Sequence, residues 1–165
     1  MDENLKNRLK RIKLLLLDVD GVLTDGGLYY SNSGEQFKKF CVRDGLGIKL
    51  VQQAGIEVAF VTGLQSDLVD DRARSLAITE VIQGAMVKEP VVEDLVKRRG
   101  LKWPQVAYVG DDLIDVDVMR LVGFAAAVAD ALPGVKKIAH YTTALPGGRG
   151  AVREICNLLL AARNS

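Results

Sequence analysis

Four consecutive leucines, Leu14–Leu17, run directly into Asp18-Val19-Asp20-Gly21, and no other feature constrains the chain as strongly. So short and so apolar a run suits a strand covered on both faces, and the acids that follow must leave the core. Comparable runs rich in Val, Ile, Leu and Ala recur at 57–61, 80–82, 106–109 and 125–128, with a brief last one at 141–143. Between them, 47–54, 66–76, 91–99, 114–122 and 150–162 have helical length and periodicity. This alternation predicts an α/β fold, a doubly wound parallel sheet of Rossmann type. Ser66 and Asp112 are candidate N-caps, and Gly55, Gly100 and Gly123 are candidate stops. The length, 165 residues, suits one domain spanning 1–165.

One segment breaks the alternation. Residues 27–30 and 36–40 read as two strands joined by a loop at 31–35, a β-hairpin inserted at about 26–42 after the first strand. Its Tyr29, Tyr30, Phe37 and Phe40 either pack on the body of the domain or pair between subunits.

Charge excludes whole classes of function. With 22 Lys and Arg against 21 Asp and Glu, no net positive field holds nucleic acid or an anionic membrane. Neither partner is expected. No apolar run approaches a membrane span, and the basic, polar stretch 4–13 lacks the apolar core of a signal peptide, so a cytoplasmic protein is expected. Cys41 and Cys156 lie far apart with no metal-ligand spacing and read as reduced thiols. In the last helical stretch Val152, Ile155, Leu158, Leu159 and Ala162 share one face, for the core or for a subunit contact. His140 and Trp103 read as structural, and Gly147–Gly150 as a flexible lead into that helix.

The chemistry gathers at strand ends. Extended residues two apart face the same side, so Asp18 and Asp20 project together, and two such carboxylates repel unless a cation lies between or one is protonated. A second cluster, Asp111, Asp112 and Asp115, follows the apolar run at 106–109. Alone it could be a helix cap; beside the first it supplies hard oxygen ligands without His or Cys, a set that favours Mg²⁺ over zinc. Thr62, followed by Gly63, offers a hydroxyl at another strand end, and Lys88 offers a point charge for a phosphoryl oxygen. Taken singly, these are a turn and a surface lysine; their weight comes from their order.

That order, Asp18-Val-Asp20-Gly21-Val-Leu-Thr24, Thr62-Gly63, Lys88 and Gly110-Asp111-Asp112 with Asp115, resembles the haloacid dehalogenase superfamily along the whole chain. The acid at 20 is similar to its phosphatase branch. Asp25-Gly26 with the hairpin, Arg43-Asp44-Gly45-Leu46-Gly47-Ile48, Gln83-Gly84 and Gly147-Gly148-Arg149-Gly150-Ala151-Val152-Arg153-Glu154 look like the 3-deoxy-D-manno-octulosonate 8-phosphate phosphatase family. That family is capless and tetrameric. The resemblance implies hairpins joined in a homotetramer and Mg²⁺-dependent hydrolysis of the sugar-acid phosphate in lipopolysaccharide precursor biosynthesis.

The resemblance also implies roles. Mg²⁺ would be bound by Asp18, Asp111 and the carbonyl of Asp20. Asp18 would be the nucleophile and Asp20 the acid and base, also meeting the substrate. Thr62 and Lys88 would hold the transferring oxygens, with Asp112 and Asp115 orienting Lys88 or metal waters. Cys41, Val42, Arg43, Asp44, Gly45, Lys49 and Arg72 would line the sugar-acid site. Leu64 stands where many members carry a basic residue, and Lys49 where some carry Arg. A long C-terminal tail, seen in some relatives, is not expected. Two rivals remain: a phosphatase of a nine-carbon sugar-acid phosphate, and a phospho-acceptor signalling domain like a response-regulator receiver. Receivers keep the phosphorylated Asp apart from their acidic pair, whereas here Asp18 and Asp20 share one loop.

Overall fold

The computed structural model describes residues 3–34 and 36–164. In chain order these form α1 (Glu3–Lys10), β1 (Leu14–Leu17), β2 (Tyr29–Tyr30), β3 (Gln36–Phe37), α2 (Val42–Gln53), β4 (Glu57–Val61), α3 (Asp67–Ser75) and β5 (Glu80–Ile82). There follow α4 (Lys88–Arg98), β6 (Val106–Gly110), α5 (Val116–Leu121), β7 (Phe124–Ala127), α6 (Pro133–Ile138), β8 (Tyr141–Thr142) and α7 (Ala151–Arg163). Short 3₁₀ turns at Trp103–Gln105 and Leu113–Asp115 introduce β6 and α5.

Six strands make one parallel sheet in the order β5-β4-β1-β6-β7-β8, flanked by helices. The chain builds outward from β1 to β4 and β5, then crosses to β6 on its other side, and ligands bind at such a switch point in open α/β sheets. All four leucines of β1 are fully buried, as a strand covered on both faces requires. Leu17 pairs with Phe60 in β4 and with Val109 in β6, so Asp18, Thr62 and Asp111 emerge within two residues of one aligned edge. The apolar face of α7 belongs to the core: Val152, Ile155, Leu159 and Ala162 are fully buried, and the helix packs against α1 and α2.

Several boundaries differ from expectation, each for a physical reason. Helix α1 forms from the polar N-terminal stretch because Leu5, Leu9 and Ile12 fall at helical spacing and reach the core. Helix α2 starts at Val42 rather than 47, and so holds Gly45 and Gly47 inside it. Both glycines depress helix propensity, and close packing accounts for them: a Cβ at Gly47 would crowd Arg153 and Cys156 of α7, and one at Gly45 would meet the tip of the Arg72 guanidinium. Helix α4 begins at Lys88, with Pro90 tolerated in its first turn. Strand β7 lies one residue earlier than its apolar run suggests, and α6, opened by Pro133, was not expected. Ser66 occupies an N-cap position without a side-chain cap bond, whereas Asp112 does cap, accepting from the Leu113 N–H.

The hairpin is shorter than its sequence suggests. Among the described residues, only Tyr29 with Phe37 and Tyr30 with Gln36 pair, and residues 38–40 lie outside the strands. Glu35 of its loop lies outside the described residues. Tyr29, Tyr30 and Phe37 are exposed, while half-buried Phe40 lies under the Arg72 guanidinium, 5.4 Å from the ring centroid.

Candidate active site

Lysine 88 organises the site. Its side chain is fully buried at the start of α4, and its ammonium donates to Asp18 Oδ1 at 2.6 Å, Asp115 Oδ1 at 2.7 Å and the Tyr108 hydroxyl at 3.1 Å. Burial lowers the Lys88 pKa, but the carboxylates of Asp18 and Asp115 outweigh it and leave it raised. In sequence Tyr108 reads only as part of an apolar strand. Its hydroxyl donates to Asp115 Oδ1 at 2.6 Å, and burial with the nearby carboxylates drives its pKa up.

The acids divide into two kinds. Both oxygens of Asp115 are engaged, Oδ1 by Lys88 and Tyr108 and Oδ2 by the N–H groups of Asp111 and Asp112. It is saturated by protein donors and holds Lys88. Asp112 is exposed and turns its oxygen to the 3₁₀ turn rather than to Lys88. Asp111, by contrast, has a buried Oδ1 with no hydrogen-bond partner. Burial and the charges of Asp18 and Asp115 push its pKa up to about 8. Burial and Asp115 raise Asp18 to about 6, against the pull of Lys88.

Asp18, Asp111 and Asp115 bring carboxylate oxygens within 4.8 Å of one another. Since Asp115 is saturated, the unsatisfied charge lies between Asp18 and Asp111. A hard divalent cation fits there, with carboxylate oxygens available and no nitrogen or sulfur donor among that group. Gly21 permits the approach. Its φ of +95° suits glycine, and a Cβ there would overlap Asp111 Oδ2.

Asp20 lines a pocket with Asp18 and Asp111, and Leu64, Met86 and Ile114 give the same pocket apolar surface. Thr62 donates its hydroxyl to Asp20 Oδ2 at 3.2 Å, and the Lys38 ammonium, reaching from the hairpin, bonds Asp20 Oδ1. Lys38 carried no sequence signal, being one of two adjacent lysines in an exposed-looking arm. Leu64 is 46% exposed and supplies apolar surface to the pocket where a cation was the common alternative.

The structure does not bring the remaining predicted residues into this pocket. Arg72 and Lys49 line a separate open depression with Val42, Gly45 and Leu46. Arg72 donates to the Cys41 carbonyl at 3.2 Å and leaves a buried Nε without a partner. Arg43 donates to the Arg149 carbonyl at 2.9 Å. Asp44 is buried and accepts from the Arg153 N–H at 2.7 Å, holding α2 to α7; burial raises its pKa.

Gly147–Gly150 is not a flexible lead. The Gly148 N–H donates to the Val22 carbonyl at 3.0 Å, the Gly147 N–H to Asp130 Oδ1 at 2.9 Å, and both glycines lie flat against the backbone of Gly21–Asp25. Glu154 anchors the same segment through the N–H groups of Ala144 and Leu145. The loop after β1 is thus braced from behind. Among the described residues, no helix is long and apolar enough to cross a membrane.

Comparison with known proteins agrees with this geometry. A family model for haloacid dehalogenase-like hydrolases matches residues 73–154. The 3-deoxy-D-manno-octulosonate 8-phosphate phosphatase of Escherichia coli K12 is 50% identical over 156 residues, covering 94% of this chain and 83% of that protein. The crystal structure of the Yersinia pestis phosphatase of that name superposes with a TM-score of 0.97 at 46% identity, over 99% of this chain and 89% of that one. The Moraxella catarrhalis phosphatase, solved with magnesium, phosphate and the sugar acid, gives 0.97 at 40% identity, over 99% and 94% of the two chains. The chain belongs to the 3-deoxy-D-manno-octulosonate 8-phosphate phosphatase family of the haloacid dehalogenase superfamily.

Proposed function

We propose that this chain is a Mg²⁺-dependent phosphatase that hydrolyses 3-deoxy-D-manno-octulosonate 8-phosphate to the free sugar acid and phosphate. The observation that carries the reading is the buried Asp18, held by Lys88, facing an unsatisfied Asp111 oxygen with Asp20 two residues on. Asp18, Asp111 and the Asp20 carbonyl would hold the cation. Bound there, it supplies positive charge that lets an anionic carboxylate approach a phosphate dianion.

The protein groups then divide the work. An Asp18 oxygen attacks phosphorus, the phosphorus–sugar oxygen bond breaks, and the leaving oxygen takes a proton from the Asp20 carboxyl. Water next attacks phosphorus, giving a proton to Asp20, and the bond to Asp18 breaks with its electron pair returning to the carboxylate. Lys88 and Thr62 hold the transferring oxygens. Phosphate and carboxylate sit at opposite ends of the eight-carbon substrate, so a carboxylate subsite set apart from the phosphate pocket is what it requires. The depression with Arg72 and Lys49 supplies cations of that kind. Exposed Tyr30 and Phe37 on the hairpin support its pairing with other copies in a homotetramer, and the chain is read as cytoplasmic.

Phosphate release from the eight-carbon substrate, a nine-carbon sugar-acid phosphate, hexose phosphates and p-nitrophenyl phosphate, with Mg²⁺ or chelator, tests the reading. Selective, Mg²⁺-dependent hydrolysis of the eight-carbon substrate, abolished by Asp18→Asn, is expected. Preference for the nine-carbon compound would move the substrate, as Leu64 in the pocket wall allows; a fully active Asp18→Asn would remove the nucleophile.

A further inference from the structure

Lys38 has no part in the steps above, yet it is placed to affect them. Its side chain is only 7% exposed although both neighbours, Phe37 and Lys39, are exposed, and its ammonium bonds Asp20 Oδ1. The other oxygen of Asp20 receives the Thr62 hydroxyl, so the carboxylate is gripped from two sides by two different elements. The arm that carries Lys38 is itself tied down. The Tyr29 hydroxyl donates to Asp25 Oδ2 at 2.7 Å, the Gly27 N–H to Asp25 Oδ1 at 3.1 Å, and the Lys39 ammonium lies 3.8 Å from Asp25. Asp25 closes the same loop that presents Asp18 and Asp20, so hairpin and loop form one unit.

We propose that Lys38 is a positioning residue for the reaction: from the hairpin it fixes the direction in which the Asp20 carboxyl faces the scissile oxygen and then the attacking water. The inference rests on the reading of Asp20 as acid and base. A group that must move a proton to one atom and later from another works only within hydrogen-bond reach of both. A partly exposed carboxylate, free to turn, would spend much of its time elsewhere. The hairpin therefore serves the chemistry of its own chain, whatever else its exposed aromatics contact.

The test uses the full chain with Mg²⁺ and three variants: Lys38→Met, which keeps length and removes charge, Lys38→Arg, and Asp20→Asn as the reference. Steady-state kcat and KM are read on the sugar-acid phosphate. The release of p-nitrophenolate is read in a single turnover with enzyme in excess. Nitrophenolate departs without a proton, so that step does not call on Asp20. Lys38→Met is expected to lower kcat about tenfold or more, with KM and the single-turnover nitrophenolate rate each within about twofold, and Lys38→Arg to recover part of the loss. An unchanged kcat overturns the proposal, as does a raised KM at unchanged kcat, which would make Lys38 a substrate contact. A parallel fall in nitrophenolate release also overturns it, because damage to the loop would slow attack by Asp18 as well. A fully active Asp20→Asn would sink the acid and base assignment itself. That outcome is distinct from an inactive Asp20→Asn beside a fully active Lys38→Met, which sinks only the role of Lys38.

Discussion

The Tyr108 hydroxyl donates to Asp115 Oδ1 at 2.6 Å, on the same oxygen that receives Lys88. Lys88 is thereby held by three groups, one of which comes from the middle of an otherwise apolar strand. Tyr108→Phe keeps the ring and removes the hydroxyl, so Lys88 loses one acceptor and Asp115 one donor. A stability loss of about 1 kcal/mol is expected, since the remaining bonds keep the charges paired. Because Lys88 orients both the nucleophile and the transferring group, kcat should fall about tenfold with KM little changed. Urea melts and steady-state kinetics read the two effects, and an unchanged kcat would deny Tyr108 any part in placing Lys88.

The raised pKa values of Asp18 and Asp111 make stability depend on both pH and metal. In the cation-free protein these groups bind protons more tightly folded than unfolded. Their contribution is therefore fully present below the ordinary carboxylate range near 4 and is lost as pH rises through about 6 for Asp18 and about 8 for Asp111. Cation-free stability should fall across this window. A divalent cation takes the place of the protons, so Mg²⁺ should raise the melting temperature more at pH 8 than at pH 5.5. Thermal melts in Mg²⁺ and in chelator at both values provide the comparison. An equal Mg²⁺ shift at the two would contradict the repulsion between these carboxylates.

Arg72 and Lys49 sit in their own depression, so their removal should separate substrates rather than chemistry. Arg72→Ala is expected to raise KM for the sugar-acid phosphate about tenfold or more and to leave p-nitrophenyl phosphate nearly unaffected, since only the former carries a carboxylate for the guanidinium. Equal effects on both substrates would deny Arg72 that role. The variant also removes the guanidinium from above Phe40, so a melting curve should accompany the kinetics.

The parts of this molecule that were legible in its sequence are those where one short segment carries the whole signal. Leu14–Leu17 followed by Asp18 and Asp20 fixes a buried strand and an acidic edge from seven residues, and 106–112 repeats the pattern. What escaped depends on contacts between distant segments. Lys38 and Lys39 look alike in sequence, yet one pairs with Asp20 and keeps its side chain largely covered while the other is exposed. Tyr108 reads as a strand residue because its hydroxyl finds partners only once β6 lies beside α4 and the 3₁₀ turn. Gly45 and Gly47 argue against a helix locally, and the close approach of Arg72 and of α7 overrides them.

The glycine segment before α7 looks flexible in sequence for the same reason, since its partners at 21–25 are distant, and it gives the sharpest test of how the nucleophile loop is held. Gly147 lies against the Gly21 carbonyl, where a Cβ would overlap the oxygen, and its own N–H is fixed by Asp130. The obstacle is backbone, which cannot rotate away as a side chain can. Gly147→Ala must therefore push either the 143–150 segment or the loop at 21–25. The first is anchored by Glu154 and by the Thr143 hydroxyl, which accepts from the Ala129 N–H at 3.1 Å. The loop after β1 should give way instead, moving Asp18 and Asp20 off their mark. A stability loss of about 1–3 kcal/mol is expected for such overpacking. A displacement of about 1 Å at the reacting groups should cost about a hundredfold in kcat. Gly134→Ala, at a helix position where a Cβ meets nothing within 4 Å, is the matched control: it should leave kcat unchanged and, if anything, raise stability slightly. If Gly147→Ala melts lower yet turns over at the full rate, the brace supports the fold alone and the loop holds its geometry without it.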